Sequence, residues 1–243
     1  MSAGAPTLGV VIVPARGGGE LVAALDAAAW ADERAVIALA GDVPHGDVPA
    51  GVARLAGPRD LDRLAADWIL VLGEAERVTV DAAGAMRAAL ATAPDDVVFA
   101  LPFITALLDM QVGLHDRLPR LAPRRTALVM GAAACVAFEP GGRRVRRLDS
   151  PILRSRGATL SDAVELAGAE ASTFAALADR RTAHARGIIW QPVRAALRGL
   201  TARGRGRRLG LGRWVIAVLE GYRVVAAYAK LWERRRDQVT VAG

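Results

Sequence analysis

One cysteine, Cys135, in 243 residues leaves no partner for an internal disulfide and fits a reducing compartment. It sits in the small apolar run from Gly131 to Val136 and reads as an inert core thiol. Histidine is scarce as well. His45, His115 and His184 are far apart and share no metal-ligand spacing with Cys135. The N-terminal apolar run, Leu8 to Val13, is too short to span a bilayer. No basic residue precedes it, so it lacks the layout of a signal peptide, and the expected location is cytoplasmic. The G-x-G-x-x-G fingerprint is missing, and so is any internal repeat. Lysine is almost absent: Lys230 is the only one, and arginine carries the positive charge.

That charge is unevenly placed. Residues 1–142 hold 11 Arg against 17 Asp+Glu, whereas residues 143–243 hold 21 Lys+Arg against 8 Asp+Glu. A net of +7 therefore conceals an acidic front and a strongly basic last third, which calls for an anionic partner. The arginines at 203, 205, 207 and 208 lack stacking aromatics and any recognised reader motif, which makes nucleic acid the weakest candidate.

Hydrophobic patterning predicts an α/β protein. Leu8–Val13 reads as a buried strand, residues 14–19 as a Gly-rich loop, Glu20–Trp30 as a helix and Ala35–Leu39 as a second strand. Residues 40–58 carry the glycines and prolines of a loop. Leu61–Ala66 reads as a short helix, Trp68–Leu72 as a strand, and Asp81–Ala91 as a helix capped at Thr79. Val97–Leu101 is a further strand, and Ala127–Phe138 holds one or two more. After Pro151 the pattern becomes helical: Leu160–Arg186, Pro192–Leu200 and Arg213–Arg236, with a Gly/Arg loop over 201–212. This divides the chain into an α/β domain over 1–150 and a basic helical region over 151–243.

The segment Asp67-Trp68-Ile69-Leu70-Val71-Leu72-Gly73-Glu74-Ala75-Glu76-Arg77 carries the most chemistry. An apolar strand that ends in carboxylates is how many α/β enzymes present a metal or a substrate. Glu74 and Glu76 are two apart and can face the same way on an extended segment, as a metal pair would. The competing reading makes both solvated loop acids, with Glu76 paired to Arg77 or another arginine. Gly17–Gly19 offers backbone N–H groups to a phosphate, or is simply a turn.

These words, in this order, resemble a family 2 glycosyltransferase of the bacterial lipopolysaccharide-core type. Trp30-Ala31-Asp32-Glu33, the run from Asp67 to Leu72, the positions Leu148, Pro151, Leu153, Leu160 and Asp162, and the ending Tyr228-Ala229-Lys230-Leu231-Trp232-Glu233 carry the likeness. The resemblance implies a nucleotide-diphospho-sugar transferase-like, glycosyltransferase A-type fold: a mostly parallel sheet flanked by helices. It also implies a nucleotide-sugar donor, a glycan or lipid acceptor, and Mg²⁺ or Mn²⁺ held by an Asp-x-Asp pair to neutralise the diphosphate leaving group.

The chemical positions depart from that pattern. The two aspartates fall on Gly73 and Ala75, the nucleoside-binding aspartate on Ala38, an Arg-Asn pair on Gly57-Pro58, and a late metal-site histidine on Arg154. Arg16 and Glu76 match. The candidate site is therefore Glu76 and Glu139 as catalytic carboxylates, Arg16 and Arg154 for the nucleotide-sugar, and Glu74 with Glu76 for a metal. Arg154 allows a further option, a fixed guanidinium that neutralises a diphosphate without metal. The pattern fits a family 2-like protein of cell-envelope glycan or glycolipid assembly whose catalysis is lost or altered, a pseudoenzyme or a partner to another glycosyltransferase. An active enzyme with a rebuilt donor site is the alternative.

Two readings of the last helix stay open. Residues 203–236 suit an anionic membrane surface at the inner face of the plasma membrane, with aromatics at headgroup level and Glu220, Arg223 and Lys230 in water. An ordinary packed helix with a solvated basic face fits equally well.

Overall fold

The computed structural model describes residues 5–37, 48–107, 110–131, 135–157, 159–177, 185–201, 203–205 and 209–241. Ala38, His45 and His184 lie outside them. The chain is a mixed α/β protein, a central sheet flanked by helices, in which parallel pairings outnumber antiparallel ones.

The N-terminal half of the sheet is the expected β-loop-α-β unit. β1 (Leu8–Val13) is wholly buried and runs parallel to β2 (Glu33–Ile37) on one side and to β4 (Trp68–Gly73) on the other. β3 (Ala53–Leu55) extends this edge beyond β2. Side chains alternate across the sheet, so the strands feed two cores. Leu8, Val10, Ile12, Trp68, Leu70 and Leu72 pack on one face against α1 (Gly19–Ala27) and α2 (Val80–Leu90). Val11, Val13, Ile69 and Val71 pack on the other against Leu61, Leu64, Val136 and Phe138. Each such side chain contributes about 1.5–3 kcal/mol by leaving water. Gly9 has no room for more: an added Cβ would lie 3.0 Å from Ala66 Cβ and 3.1 Å from Ile69 Cδ1.

Several residues of the family-like wording turn out to be tethers. Asp67 accepts hydrogen bonds from Thr7 N and Oγ1 at 2.9 and 2.8 Å, which lowers its carboxyl below the usual range. Asp32 is held down chiefly by Arg87, and it accepts the Leu8 N–H at 2.7 Å. Glu33 accepts the N–H groups of Ala65 and Ala66 at 2.8 and 2.9 Å. The first two tie the start of β1 to its neighbours, and Glu33 ties β2 to the segment that leads into β4.

The middle of the chain departs from the sequence expectation. The strand expected at Val97–Leu101 continues to Leu107 as β6 (Val97–Leu107). β7 (Met110–Pro123) follows it antiparallel and lies between β4 and β6. Sequence patterning gave no strand there, because Arg117, Pro119, Arg120 and Pro123 break the apolar run. Pro119 opposes Ala100 where the register shifts, and Pro102 borders a second shift, so both prolines sit at irregularities that need no ladder N–H. A short β5 (Glu76–Val78) occupies the far edge. β8 (Leu128–Gly131) and β9 (Cys135–Phe138) form a separate hairpin-like pair, as the run 127–138 suggested.

β10 (Arg144–Arg147) and β11 (Ile152–Ser155) run parallel to β6, and β11 pairs antiparallel with β5. Three long helices follow: α3 (Leu160–Leu177), α4 (Ala185–Thr201) and α5 (Leu209–Val241). Residues 178–184, which the sequence reading ran through as one helix, lie outside the described residues. α4 begins seven residues before Pro192, which sits inside the helix rather than at its start. The Gly/Arg loop is shorter than expected, since Arg203–Arg205 adds a strand, β12, antiparallel to β7. The sheet thus takes strands from both sides of residue 150.

Candidate functional site

β1 and β4 lie side by side and end together, and a crevice opens beyond their carboxyl ends. Its walls are Val13, Pro14 and Ala15 after β1, Gly73 to Glu76 after β4, Arg120 of β7, Val136 of β9, Arg154 of β11, and Leu166, Glu170 and Thr173 of α3. The cavity holds only about 40 Å³.

Glu74 is 1% exposed and folds back toward β1. Its Oε2 accepts the backbone N–H groups of Ala15, Arg16 and Gly17 at 2.6, 2.7 and 3.2 Å. Gly17 and Gly18 take positive φ of 78° and 67°, backbone conformations that favour glycine, where the chain turns from β1 into α1. This is an anion-binding nest, and the anion in it is Glu74. Of the glycine run only the Gly17 N–H joins the nest; the other two donors are the backbone groups of Ala15 and Arg16 just before it.

Glu76 is 3% exposed and sits between two arginines. Its Oε1 accepts from Arg120 at 3.0 Å and from Arg154 Nε at 2.9 Å, with a second, shorter bond from Arg154 Nη2. Its Oε2 accepts the Gly73 N–H at 2.7 Å. The two guanidinium carbons stand 5.0 and 4.7 Å from the centroid of the Phe103 ring, which shields the cluster. Topology builds the pairing: β11 and β5 are antiparallel with Arg154 directly opposite Glu76. Burial alone would raise the Glu76 carboxyl, but Arg120 and Arg154 outweigh it and hold the group below the usual range.

The reading of Glu74 and Glu76 as solvated loop acids is thus overturned, because both are buried, with only Glu74 Oε1 left without a hydrogen-bond partner; the pairing of Glu76 with arginines other than Arg77 holds. The partners of Glu76 are Arg120 and Arg154; Arg77 instead donates to the Glu74 and Glu76 backbone carbonyls. Arg154 lines the crevice. Arg16 joins through its backbone N–H, while its side chain pairs with Glu20 at 2.9 Å outside the cavity. Glu139 is exposed and does not line the crevice; Val136 takes the wall on that strand.

Mg²⁺ needs near-octahedral oxygen coordination and is held by one or two free carboxylates, with waters and substrate phosphates completing the shell. The residues present do not fit such a cation. Three of the four carboxylate oxygens of Glu74 and Glu76 are engaged, and two guanidinium groups face the remaining space. Among the described residues no group of three or more His, Cys, Asp or Glu side chains is placed to hold a metal.

A second ionic cluster adjoins the first. Arg156 pairs with Glu170 and Glu220 at 2.7 Å each, and Arg223 pairs with Glu220 at 2.5 Å and Glu170 at 3.4 Å. Burial would raise both carboxyls, but Arg156 and Arg223 hold each at about 2, with Arg154 adding to the effect. β11, α3 and α5 are thereby linked through charge. Sequence reasoning missed Arg120, because its strand went unread. It also missed Glu170, whose only signal is that it follows the core residue Leu166 by one helical turn.

No protein-family model matches the chain, and no curated protein matches it. Among solved structures the chain is similar to S. aureus TarS. The structure of TarS 1–349 matches at 10% identity over 94% of this chain and 91% of that chain, with a TM-score of 0.39. The same fragment in complex with UDP matches at 12% identity, 94% and 91% coverage and a TM-score of 0.34. A longer TarS structure matches at 10% identity over 93% of this chain and 55% of that chain, with a TM-score of 0.32. At these scores the likeness assigns no function.

Proposed function

We propose that this chain is a glycosyltransferase family 2-like protein of cell-envelope glycan or glycolipid assembly whose catalysis is lost or altered. One observation carries the reading. Each feature of the crevice suited to a diphosphate is already occupied by an internal carboxylate: the backbone nest by Glu74, the arginine pair by Glu76. A cavity of about 40 Å³ is far below the roughly 300 Å³ of a small-molecule site. The fold-forming words of the family are kept and serve as tethers, while the donor-binding positions are spent on stability. Such a protein would act by binding a partner glycosyltransferase, a lipid or a glycan.

Calorimetry with UDP-, GDP- and dTDP-sugars, with and without Mg²⁺ or Mn²⁺, tests this. The expected result is no heat of binding at millimolar ligand. Binding accompanied by hydrolysis or transfer would overturn the proposal. If that activity survived EDTA and fell on Arg154→Ala, the metal-independent enzyme would replace it. Metal binding lost in Glu74→Ala would favour a rebuilt cation site.

A further inference from the structure

The long C-terminal helix is turned inside out. From Gly212 to Trp232 of α5, Glu220 and Arg223 are 7% and 1% exposed, locked in the ionic cluster with Arg156 and Glu170. Lys230 is also turned inward: its Nζ donates to the Gly168 carbonyl at 3.0 Å and to Ser172 Oγ. The exposed positions of that stretch are Trp214, Val218, Tyr222, Val225, Ala229 and Trp232, every one apolar. At 100° per residue they fall within an arc of about 80°, a stripe about 27 Å long. For Glu220, Arg223 and Lys230 the sequence expectation of charges in water is therefore reversed.

α4 packs on α5 through Ala195, Val224 and Tyr228 and exposes Trp190, Val193 and Leu197. Three of the five tryptophans of the chain are on these two helices, each more than half exposed (62, 61 and 56%). A soluble domain rarely leaves a continuous apolar stripe uncovered. It must meet something.

Charge says what. Residues 185–243 hold 13 Lys+Arg against 3 Asp+Glu, and the excess persists when the inward-turned Arg223, Lys230 and Glu220 are set aside. A second copy of this chain would bring a segment of the same net sign against itself. An anionic lipid surface offers the opposite: headgroups for the arginines and an acyl boundary for the stripe, with Trp and Tyr favoured at that depth. No described helix is long and apolar enough to cross a membrane, so contact would be along the surface. We infer that the exposed apolar stripe of α5, together with the exposed Trp190 of α4, docks on an anionic bilayer, and that the buried ionic cluster lets the helix keep its charges inside while doing so. This holds whether or not the crevice takes a nucleotide-sugar.

The test is co-sedimentation of the full chain with phosphatidylcholine vesicles, with and without phosphatidylglycerol, read alongside tryptophan emission and quenching by brominated acyl chains. Binding to the anionic vesicles, with blue-shifted and quenched emission, is expected. Val218→Glu, at a position 65% exposed, should weaken it roughly tenfold or more with an unchanged melting temperature. Trp232→Ala provides a second, independent reduction. Failure to bind either vesicle overturns the inference. So does binding that ignores Val218→Glu, which would make the contact purely electrostatic, and so does equal binding to neutral vesicles, which would remove the anionic partner. A concentration-dependent dimer abolished by Val218→Glu, without vesicle binding, would assign the stripe to protein contact instead.

Discussion

Glu76 shows how a residue type can be right and its meaning wrong. A carboxylate at the end of a buried strand was legible in the sequence; the two arginines that neutralise it were not, since Arg120 lies 44 and Arg154 lies 78 residues away along the chain. Long-range ion pairs leave no periodicity to read. The pairing makes Glu76 a stability residue. Glu76→Gln leaves two buried guanidinium groups facing a neutral amide and should cost about 3–5 kcal/mol. Urea unfolding checks this. A wild-type midpoint in the variant would show that Glu76 is not holding the fold. The matching cycle with Arg154→Met should reveal strong coupling between the two sites.

At the scale of elements, the chain is readable where local pattern and tertiary role agree. β1, β4 and α2 follow from apolar runs and from Thr79, whose Oγ1 accepts the Ala82 N–H at 3.2 Å. β7 was hidden because prolines and arginines in a strand look like loop chemistry unless the bulges that accommodate them are known. α5 was found, but its orientation was not: periodicity places residues on faces and does not say which face is inside. The entry to α3 is another element with a definite demand. Gly157 has φ of +94°, and an added Cβ would collide with Asp162, which forms a reciprocal cap with Thr159. Gly157→Ala should lose about 1–3 kcal/mol, seen as a lowered denaturation midpoint, whereas Gly84→Ala, in open space on α2, should not.

For the whole molecule, the two ionic clusters bind sheet and helices into one pH-dependent unit. Glu170 and Glu220 stand at about 2 in the fold, against 4.5 for an ordinary glutamate, and Glu76 is displaced in the same direction. Groups lowered by folding stabilise the native state above their unfolded value, and that contribution fades as acid protonates them. Stability should therefore be level above about pH 5 and fall steadily between roughly pH 4.5 and pH 2. Urea midpoints measured across that range test the sign, and a rise on acidification would refute it. The lesson for the site is that the fold was legible from alternation and family-like wording, while its charge balance was visible only once distant segments met.

The seating of Glu74 and Glu76 also makes them tethered ligands. A diphosphate arriving at Ala15–Gly17 or at Arg120 and Arg154 would compete with carboxylates that never leave, present at an effective concentration in the millimolar range or above. Weak polyanions would lose that contest however well their shape suited the crevice. Built-in competitors of this kind would set a threshold, since a ligand using both features would have to displace both carboxylates at once.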